Sequence, residues 1–299
     1  MFSRRHPYLF FILIFSTIVA VAMTGMTVLF VLSAKDSDFE FGEKVGVIEI
    51  SGIITEAKTT IHNLKRFRED ESIKAIVVRI DSPGGAVGPS QEIYREIRKT
   101  SGTKKVVASM GTIAASGGYY VAAGADGIVA NPGTITGSIG VVMGFTNYEK
   151  LLSKIGLVPI VIKSGEFKDI GSPVREMKEK EQKILHDFAK KIHRQFIMDI
   201  VEGRKMKQAE VESLADGRIF TGEESKTLGL VDRLGNYEDA IEWAGRMGGI
   251  KGKISTTYAK DKKYPFLKYL SGSLVKAVID RFTHPYLFAD YLYKPEQDL

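Results

Sequence analysis

Residues 75–126 have the sequence AIVVRIDSPGGAVGPSQEIYREIRKTSGTKKVVASMGTIAASGGYYVAAGAD, and this stretch decides the fold class of the chain. Two apolar runs, AIVVRI (75–80) and VVASM (106–110), have the composition of strands. Between and after them, SQEIYREIRK (90–99) and SGGYYVAAGA (116–125) are typical of helices. Apolar strands that alternate with helices form parallel sheets that are covered on both faces. The stretch therefore predicts an α/β fold built from βα units.

Similar units flank this stretch on both sides. Further strands are predicted at 45–50, 127–130 and 158–163, and further helices at 147–155, 174–201, 208–215, 223–228 and 237–247. The helix at 174–201 has apolar residues at helical spacing, which predicts a core or subunit-interface stripe, and Gly203 is its expected stop. A cluster of three glycines, at 248, 249 and 252, predicts the end of the compact body.

The N-terminal segment is apolar and long. No charged residue lies between Pro7 and Ala34, and about 20 apolar residues are enough to span a bilayer. We therefore expect an uncleaved transmembrane anchor, although a cleaved signal peptide, whose apolar region is about 7–15 residues, is the alternative. Arg4 and Arg5 precede the segment and no acidic residue occurs before Asp36. The positive-inside tendency then predicts a cytoplasmic N-terminus and an extracytoplasmic body.

Composition and motifs exclude several classes of function. The 299 residues include no cysteine, so disulfides and thiolate metal sites do not occur. The net charge of +6 is spread over mixed-sign helices without a basic stripe, so we expect no nucleic-acid partner. Zinc-helix, P-loop and dinucleotide-binding motifs are not found in the sequence, so no metal or other cofactor is predicted.

Small residues surround Ser116 in the segment SMGTIAASGGYYVAAGAD (109–126). Ser116 stands at a predicted strand-to-helix junction, where small neighbours leave a hydroxyl accessible. The helix dipole and the backbone N–H of Gly117 would favour a developing oxyanion, although an N-cap serine is the simpler interpretation. A second glycine turn, DSPGGAVG (81–88), offers another backbone N–H for the same substrate carbonyl.

A serine nucleophile needs a base. Of the five histidines only His62 falls in the predicted α/β body, so a serine/histidine/aspartate triad is poorly supplied. The segment IKSGEFKDIGSP (162–173) instead places Lys163 and Lys168 in a glycine-containing loop. A lysine acts as a base only where an apolar cleft makes its ammonium easier to deprotonate. Two ordinary surface lysines are the alternative.

Two small hydroxyls occur in the segment TITGSIGVVMG (134–144). Thr136 and Ser138 are both candidates for holding a neutral lysine amine in place by a hydrogen bond. Otherwise they are turn residues.

Four motifs, DSPGG, SMGTIAASGGYY, TGSIGVVM and KSGEFKDIGSP, occur in this order after the apolar segment. Together they resemble the signal peptide peptidase A family of bacteria, in its short, single-unit form. The resemblance covers roughly residues 44–236. It implies an α/β fold with a crotonase/Clp protease-like ββα-type superhelical core behind an N-terminal transmembrane helix. It also implies a membrane-anchored serine endopeptidase that degrades cleaved signal peptides and other short apolar peptides.

The resemblance assigns roles to individual residues. The serine of AASGG corresponds to Ser116, and the catalytic lysine corresponds to Lys168 rather than Lys163. Gly85 and the Gly117 N–H correspond to the oxyanion hole, and Ser138 to the lysine-positioning hydroxyl. The resemblance to short-form members also implies a homo-oligomeric ring, in which the lysine of one subunit serves the serine of a neighbour.

With these assignments the chain divides into five predicted segments. They are a cytoplasmic N-terminus at 1–6, a transmembrane anchor at 7–34, a linker at 35–43, a serine peptidase domain at 44–248 and a C-terminal tail at 249–299. The bacterial cytoplasmic membrane and signal-peptide remnants are the expected partners. Two other functions fit the same fold: a crotonase-like acyl-thioester enzyme, and a membrane-anchored scaffold that binds peptides without cleaving them.

Overall fold

A computed structural model of the chain describes residues 6–35, 42–259 and 290–292. Most of the predicted N-terminus and linker, and residues 260–289 and 293–299 of the predicted tail, lie outside the described residues. The chain divides into two compact units, Met1–Gly42 and Glu43–Leu299.

The described residues form nine helices and ten strands. The helices are α1 Pro7–Lys35, α2 Lys58–Glu69, α3 Val87–Ser101, α4 Gly117–Ala122, α5 Glu149–Lys154, α6 Glu179–Arg204, α7 Gln208–Leu214, α8 Gly222–Thr227 and α9 Tyr237–Met247. The strands are β1 Lys44–Ser51, β2 Ile73–Ser82, β3 Gly84–Ala86, β4 Lys105–Ala115, β5 Gly127–Ala130, β6 Ile135–Gly137, β7 Ile219–Thr221, β8 Arg233–Leu234, β9 Ser255–Tyr258 and β10 Asp290–Leu292.

Helix α1 belongs to the first unit. Its stretch Tyr8–Val28 is long and apolar enough to cross a membrane, a test that a signal sequence also passes. The helix covers the whole apolar segment identified in the sequence and ends one residue beyond it.

One eight-stranded sheet organises the second unit. Its main path runs β7-β6-β4-β2-β1-β9, and β5 and β8 continue from β4. All of its pairs are parallel except that between β6 and β7. Because β4 is eleven residues long, it pairs with β5 near its start and with β6 at its end. The predicted α/β fold is confirmed.

Helices cover both faces of this sheet. Alternate side chains of β2 point to opposite faces, as strand geometry requires. Ile76 and Val78 join the larger core cluster with residues of α2, α3, α4 and α6, whereas Val77 joins a smaller cluster with α9. The apolar runs were therefore predicted correctly as strands buried on both faces.

Helix α6 differs in its limits from the predicted 174–201. It starts later because Lys178 is its N-cap, in an extended conformation. Its expected stop at Gly203 is wrong, since the helix ends at the left-handed Lys205. Gly203 instead allows a close approach, because a Cβ there would lie 2.1 Å from the Ala123 carbonyl oxygen.

The strand predicted at 158–163 is wrong. In the described part of the chain these residues join no strand, and a strand needs a hydrogen-bonded neighbour. Their apolar side chains are exposed: Val158 by 82%, Ile160 by 86% and Ile162 by 96%. The segment that looked buried in the sequence is thus an apolar surface of the single chain.

Strand β9 lies in the stretch 249–299, which the sequence assigned to a tail. It nevertheless pairs in parallel with β1, from Lys44 opposite Ser255 to Val47 opposite Tyr258. Its sequence, STTY, is short and polar, so hydrophobic periodicity did not reveal it.

Two phenylalanines of α6 differ in burial, and we therefore expect their substitution to have different effects on stability. Phe196 is fully buried and stacks on Tyr120 with ring centroids 4.5 Å apart, whereas Phe188 is 49% exposed. We expect Phe196→Ala to lower the free energy of unfolding by about 3–5 kcal/mol through cavity formation. Phe188→Ala, the control on the same helix, should change it by less than about 0.5 kcal/mol.

Denaturant unfolding followed by fluorescence of the single tryptophan, Trp243, measures both changes. An equal loss of stability in both variants would contradict the difference in burial between Phe196 and Phe188 in the single chain. It would show that another copy covers the Phe188 face.

Candidate active site

Ser116 occupies the sharp bend between β4 and α4. Its backbone has φ 54° and ψ −117°, a region that residues with a side chain rarely adopt. Such a conformation costs about 1–3 kcal/mol and is typical of functional sites. The Ser116 N–H donates to the Gly137 carbonyl at 2.8 Å, and the residue is only 2% exposed. The predicted strand-to-helix junction is therefore present, in a strained form.

Small residues after Ser116 let α4 pack against the end of β2. A Cβ on Gly118 would lie 2.8 Å from the Ser82 carbonyl oxygen. Ala114 and Ala115, which precede the bend, are fully buried. The run AASGG thus reflects the crowding needed to hold the bend.

Ser138 follows β6 and also has a positive φ, of 50°, and it is 8% exposed. Its N–H donates to the Arg218 carbonyl at 2.8 Å. Because Ala115 and Gly137 are paired across β4 and β6, the residues that follow them lie at the same edge of the sheet. Among the described non-glycine residues, positive φ otherwise occurs only at the end of α6. The structure therefore brings two predicted site residues together, both under strain.

The structure distinguishes between Thr136 and Ser138, the two hydroxyl residues that the sequence offered for positioning the lysine amine. The Thr136 hydroxyl is buried and donates to the Ala114 carbonyl at 2.7 Å, which links β6 to β4. Ser138 makes no side-chain hydrogen bond within residues 42–259. The Thr136 hydroxyl thus stabilises the sheet, whereas the Ser138 hydroxyl is available to bind another group.

Strand β3 contains the predicted oxyanion glycine. One edge of β3 is bonded to Ile54, whose N–H donates to the Gly84 carbonyl at 2.9 Å and whose carbonyl accepts from Ala86 N–H at 2.8 Å. A Cβ on Gly85 would lie 2.2 Å from the Ile54 carbonyl oxygen. Only glycine fits at position 85, because its neighbour there is backbone.

The other edge of β3 holds an extended segment of the same chain. Strand β10 pairs with it antiparallel, with Asp290 opposite Ala86, Tyr291 opposite Gly85 and Leu292 opposite Gly84. Helix α4, which starts directly after Ser116, contacts both strands. The edge of β3 opposite Ile54 therefore pairs with an extended segment of the chain, and α4 connects both strands to the Ser116 bend. The sequence contains no motif in the tail from which this pairing was predictable.

The two candidate lysines differ in their contacts. The Lys163 amine is 2.5 Å from an Asp169 carboxylate oxygen and 2.9 Å from the Glu166 carbonyl. Lys168 is exposed, and within the described ranges its amine makes no hydrogen bond, whether to Ser116 or to any other residue. The single chain thus holds Lys163 in an ion pair and leaves the Lys168 amine open.

The segment around Lys168 is rich in charge. Hydrogen bonds from Arg175 and from Lys163 hold the pKa of the Asp169 carboxyl well below its usual range. Arg175, with help from the Lys178 N–H, lowers the pKa of Glu181 to about 2. Both carboxyl groups are therefore ionised near neutral pH.

His193 lies nearer to the site than the sequence indicated. Its Nε2 is 3.2 Å from the carbonyl oxygen of Ile139, the residue after Ser138. Sequence reasoning placed it only on a long helix, because a contact between residues 54 positions apart leaves no local signal. His193 is thus a second candidate base.

A sequence profile of Peptidase family S49 matches residues 98–251, and a profile of Clp protease matches residues 44–134. The two matched ranges together contain the Ser116 bend, β3, β6 and the loop of Lys168.

Named relatives cover much of the chain. A Synechocystis protein named as a protease is 45% identical over 233 residues, which are 77% of this chain and 83% of the relative. A signal peptide peptidase SppA of Enterococcus faecium is 39% identical over 180 residues, 60% of this chain and 52% of the relative. The chloroplastic serine protease SPPA of Arabidopsis thaliana is 36% identical over 206 residues, 69% of this chain and 30% of the relative.

Two glycines near β3 provide a matched test of this geometry. We expect Gly85→Ala to reduce kcat/KM for peptide cleavage by about 100-fold, because a Cβ would push β3 away from Ile54 and misplace the site. A Cβ on Gly88 meets no atom within 4 Å, so Gly88→Ala should retain activity. Peptide-cleavage assays and circular dichroism of both variants measure the effect. Full activity in Gly85→Ala would contradict the described packing.

Proposed function

Because the chain belongs to peptidase family S49, we propose that it is a serine endopeptidase in which Lys168 is the general base for Ser116. The observation that carries this proposal is the strained Ser116 bend beside β3, which has an extended segment paired along its edge. A strained serine is typical of a functional site, and a strand edge beside it can bind the peptide whose carbonyl the serine attacks.

In the proposed reaction the neutral Lys168 amine removes the proton from the Ser116 hydroxyl as the oxygen attacks a peptide carbonyl. Backbone N–H groups of Gly85 and Gly117 stabilise the oxyanion. Gly117 is the first residue of α4, so its N–H has no partner within the helix. Lys168 then protonates the leaving amine and activates the water that hydrolyses the acyl-enzyme. The Ser138 hydroxyl orients the amine by a hydrogen bond.

We propose that the lysine comes from a neighbouring copy in a ring. An amine that is exposed in one chain becomes desolvated when another copy covers it, and desolvation favours the neutral form. The exposed apolar side chains of Val158, Ile160 and Ile162 lie just before the lysine loop. An apolar surface of this kind supports burial in an assembly.

The proposed substrates are short apolar peptides in extended form, including remnants of cleaved signal peptides. They would pair antiparallel with β3, as β10 does, and backbone pairing of this kind tolerates many sequences. We propose that α1 anchors the body at the bacterial cytoplasmic membrane, with the N-terminus inside. The active site would then lie close to peptides that leave the bilayer.

Variants of Ser116 and of the three candidate bases, Lys168, Lys163 and His193, test the dyad. We expect Ser116→Ala and Lys168→Ala to lower kcat/KM by at least about 100-fold, because each removes a group that takes part in proton transfer or bond formation. Lys163→Ala should lose far less activity than Lys168→Ala, because Lys163 acts on the site only through its ion pair with Asp169. His193→Gln should stay within about threefold of the natural protein, since His193 does not serve as base. Cleavage of a quenched apolar peptide, with product mass analysis, measures all four.

Mixing the two inactive variants locates the lysine. If the dyad forms between copies, co-assembled Ser116→Ala and Lys168→Ala chains recover part of the activity, because some sites receive an intact serine and an intact lysine. If the His193→Gln variant is inactive and the Lys168→Ala variant is active, the dyad is overturned in favour of a histidine base. Failure of a fluorophosphonate to label Ser116 in the assembled protein would favour the non-catalytic peptide-binding scaffold.

Removal of the C-terminal strand tests the substrate-binding edge. We expect a chain that lacks residues 285–299 to show a several-fold lower KM for added peptides, because β10 no longer competes for β3. A synthetic peptide with the sequence of the removed segment should inhibit the shortened chain competitively. Unchanged KM and no inhibition would contradict peptide binding at this edge.

A further inference from the structure

A network of ion pairs holds the residue that follows Lys168. The Arg175 Nε donates to an Asp169 carboxylate oxygen at 2.8 Å, and its Nη2 donates to the Asp169 backbone carbonyl at 3.1 Å. The same guanidinium donates to both carboxylate oxygens of Glu181, at 2.8 and 2.5 Å. Arg175 thus binds the side chain and the main chain of Asp169 on one side and a second carboxylate on the other.

The far end of this network is anchored in the folded body. Glu181 is 1% exposed and lies in the first turn of α6, where its carboxylate accepts the Lys178 N–H at 2.9 Å. Further along, α6 is part of the main core through Phe196 and Ile200, both fully buried. The loop of Lys168 is therefore tied to a rigid helix although the loop itself is exposed.

We propose that Arg175 and Asp169 are positioning residues that set both the location and the charge state of the Lys168 amine. This inference rests on the proposed function, because it assigns their role through Lys168. Neither residue needs to touch the substrate. Bidentate arginine pairs of this kind fix geometry as well as charge.

Asp169 is the charged residue next to Lys168 in the sequence. The other charged residues of the segment 163–181 are Lys163, Glu166, Arg175, Glu176, Lys178, Glu179, Lys180 and Glu181. The Asp169 carboxylate lies one residue from Lys168, and an unpaired anion there would favour the ammonium form, which is inactive as a base. In the network Arg175 and Lys163 both bind this carboxylate, so its effect on the amine is offset.

Removal of Arg175 and removal of Asp169 therefore shift the net charge near the Lys168 amine in opposite directions. Arg175→Met leaves excess negative charge, which stabilises the ammonium and moves the onset of activity to higher pH. Asp169→Asn leaves excess positive charge from Arg175 and Lys163, which moves the onset to lower pH. Both variants also loosen the loop, so both should cleave more slowly at their optimum.

The test is the pH dependence of kcat/KM for the full chain in detergent. We expect each variant to lose about 10- to 100-fold in kcat/KM. The acid limb should shift by about half a pH unit, upward in Arg175→Met and downward in Asp169→Asn. Arg68→Met is the matched control, because Arg68 also forms a partly buried carboxylate pair, at 2.5 Å to Glu96, between α2 and α3. Its acid limb should not move.

Several outcomes would overturn the inference. Equal losses with unmoved acid limbs would reduce Arg175 and Asp169 to structural residues, and full activity in both would remove them from the reaction. If Arg175→Met does not fold, Asp169→Asn decides alone, because it leaves the pair of Arg175 with Glu181 in place. Activity in Lys168→Ala would instead defeat the dyad itself, and this inference with it, whereas an inactive Lys168→Ala beside unshifted variants defeats only the inference.

Discussion

The backbone bend at Ser116 is the constraint on which the rest of the site depends. A residue with a side chain is held at positive φ because its N–H is bonded to Gly137 and because α4 packs closely on the end of β2. The strain, about 1–3 kcal/mol, persists only because the surrounding sheet over-determines it. The length of β4 explains this support, since its last residues pair with β2 on one side and β6 on the other. The proposed nucleophile is thus placed by a fully buried part of the sheet.

Strand β3, which forms a separate two-stranded sheet with β10, offers a second feature next to the bend: an edge of backbone hydrogen-bonding groups that faces away from Ile54. Ile54 closes one side of this strand so tightly that position 85 accepts only glycine. The open side pairs with an extended segment, β10. A rigid strand with one closed and one open edge suits peptide binding, because affinity comes from main-chain hydrogen bonds. Such an arrangement fits the membership of peptidase family S49 and is independent of any particular peptide sequence.

The two halves of the proposed dyad are built differently. Ser116 is buried in the core and held by its own chain, whereas Lys168 lies on an exposed loop beside apolar residues that nothing in the described chain covers. The ion pairs of Arg175 tie that loop to α6. This division suits a site that is completed by assembly, because an isolated chain then carries a strained serine without a desolvated base. Activity would thereby depend on subunit contact.

The amino-acid sequence was enough to predict the α/β class, the Ser116 junction and the resemblance to the signal peptide peptidase A family, which the relatives confirm. These features depend on local composition, periodicity and motif order. The three-dimensional fold was needed to show that 158–163 is exposed, that β9 extends the sheet and that β10 pairs with β3. It also showed His193 beside Ile139 and Lys163 in an ion pair. These features depend on contacts between distant residues, and neither hydrophobic pattern nor motif spacing records which surfaces find a partner.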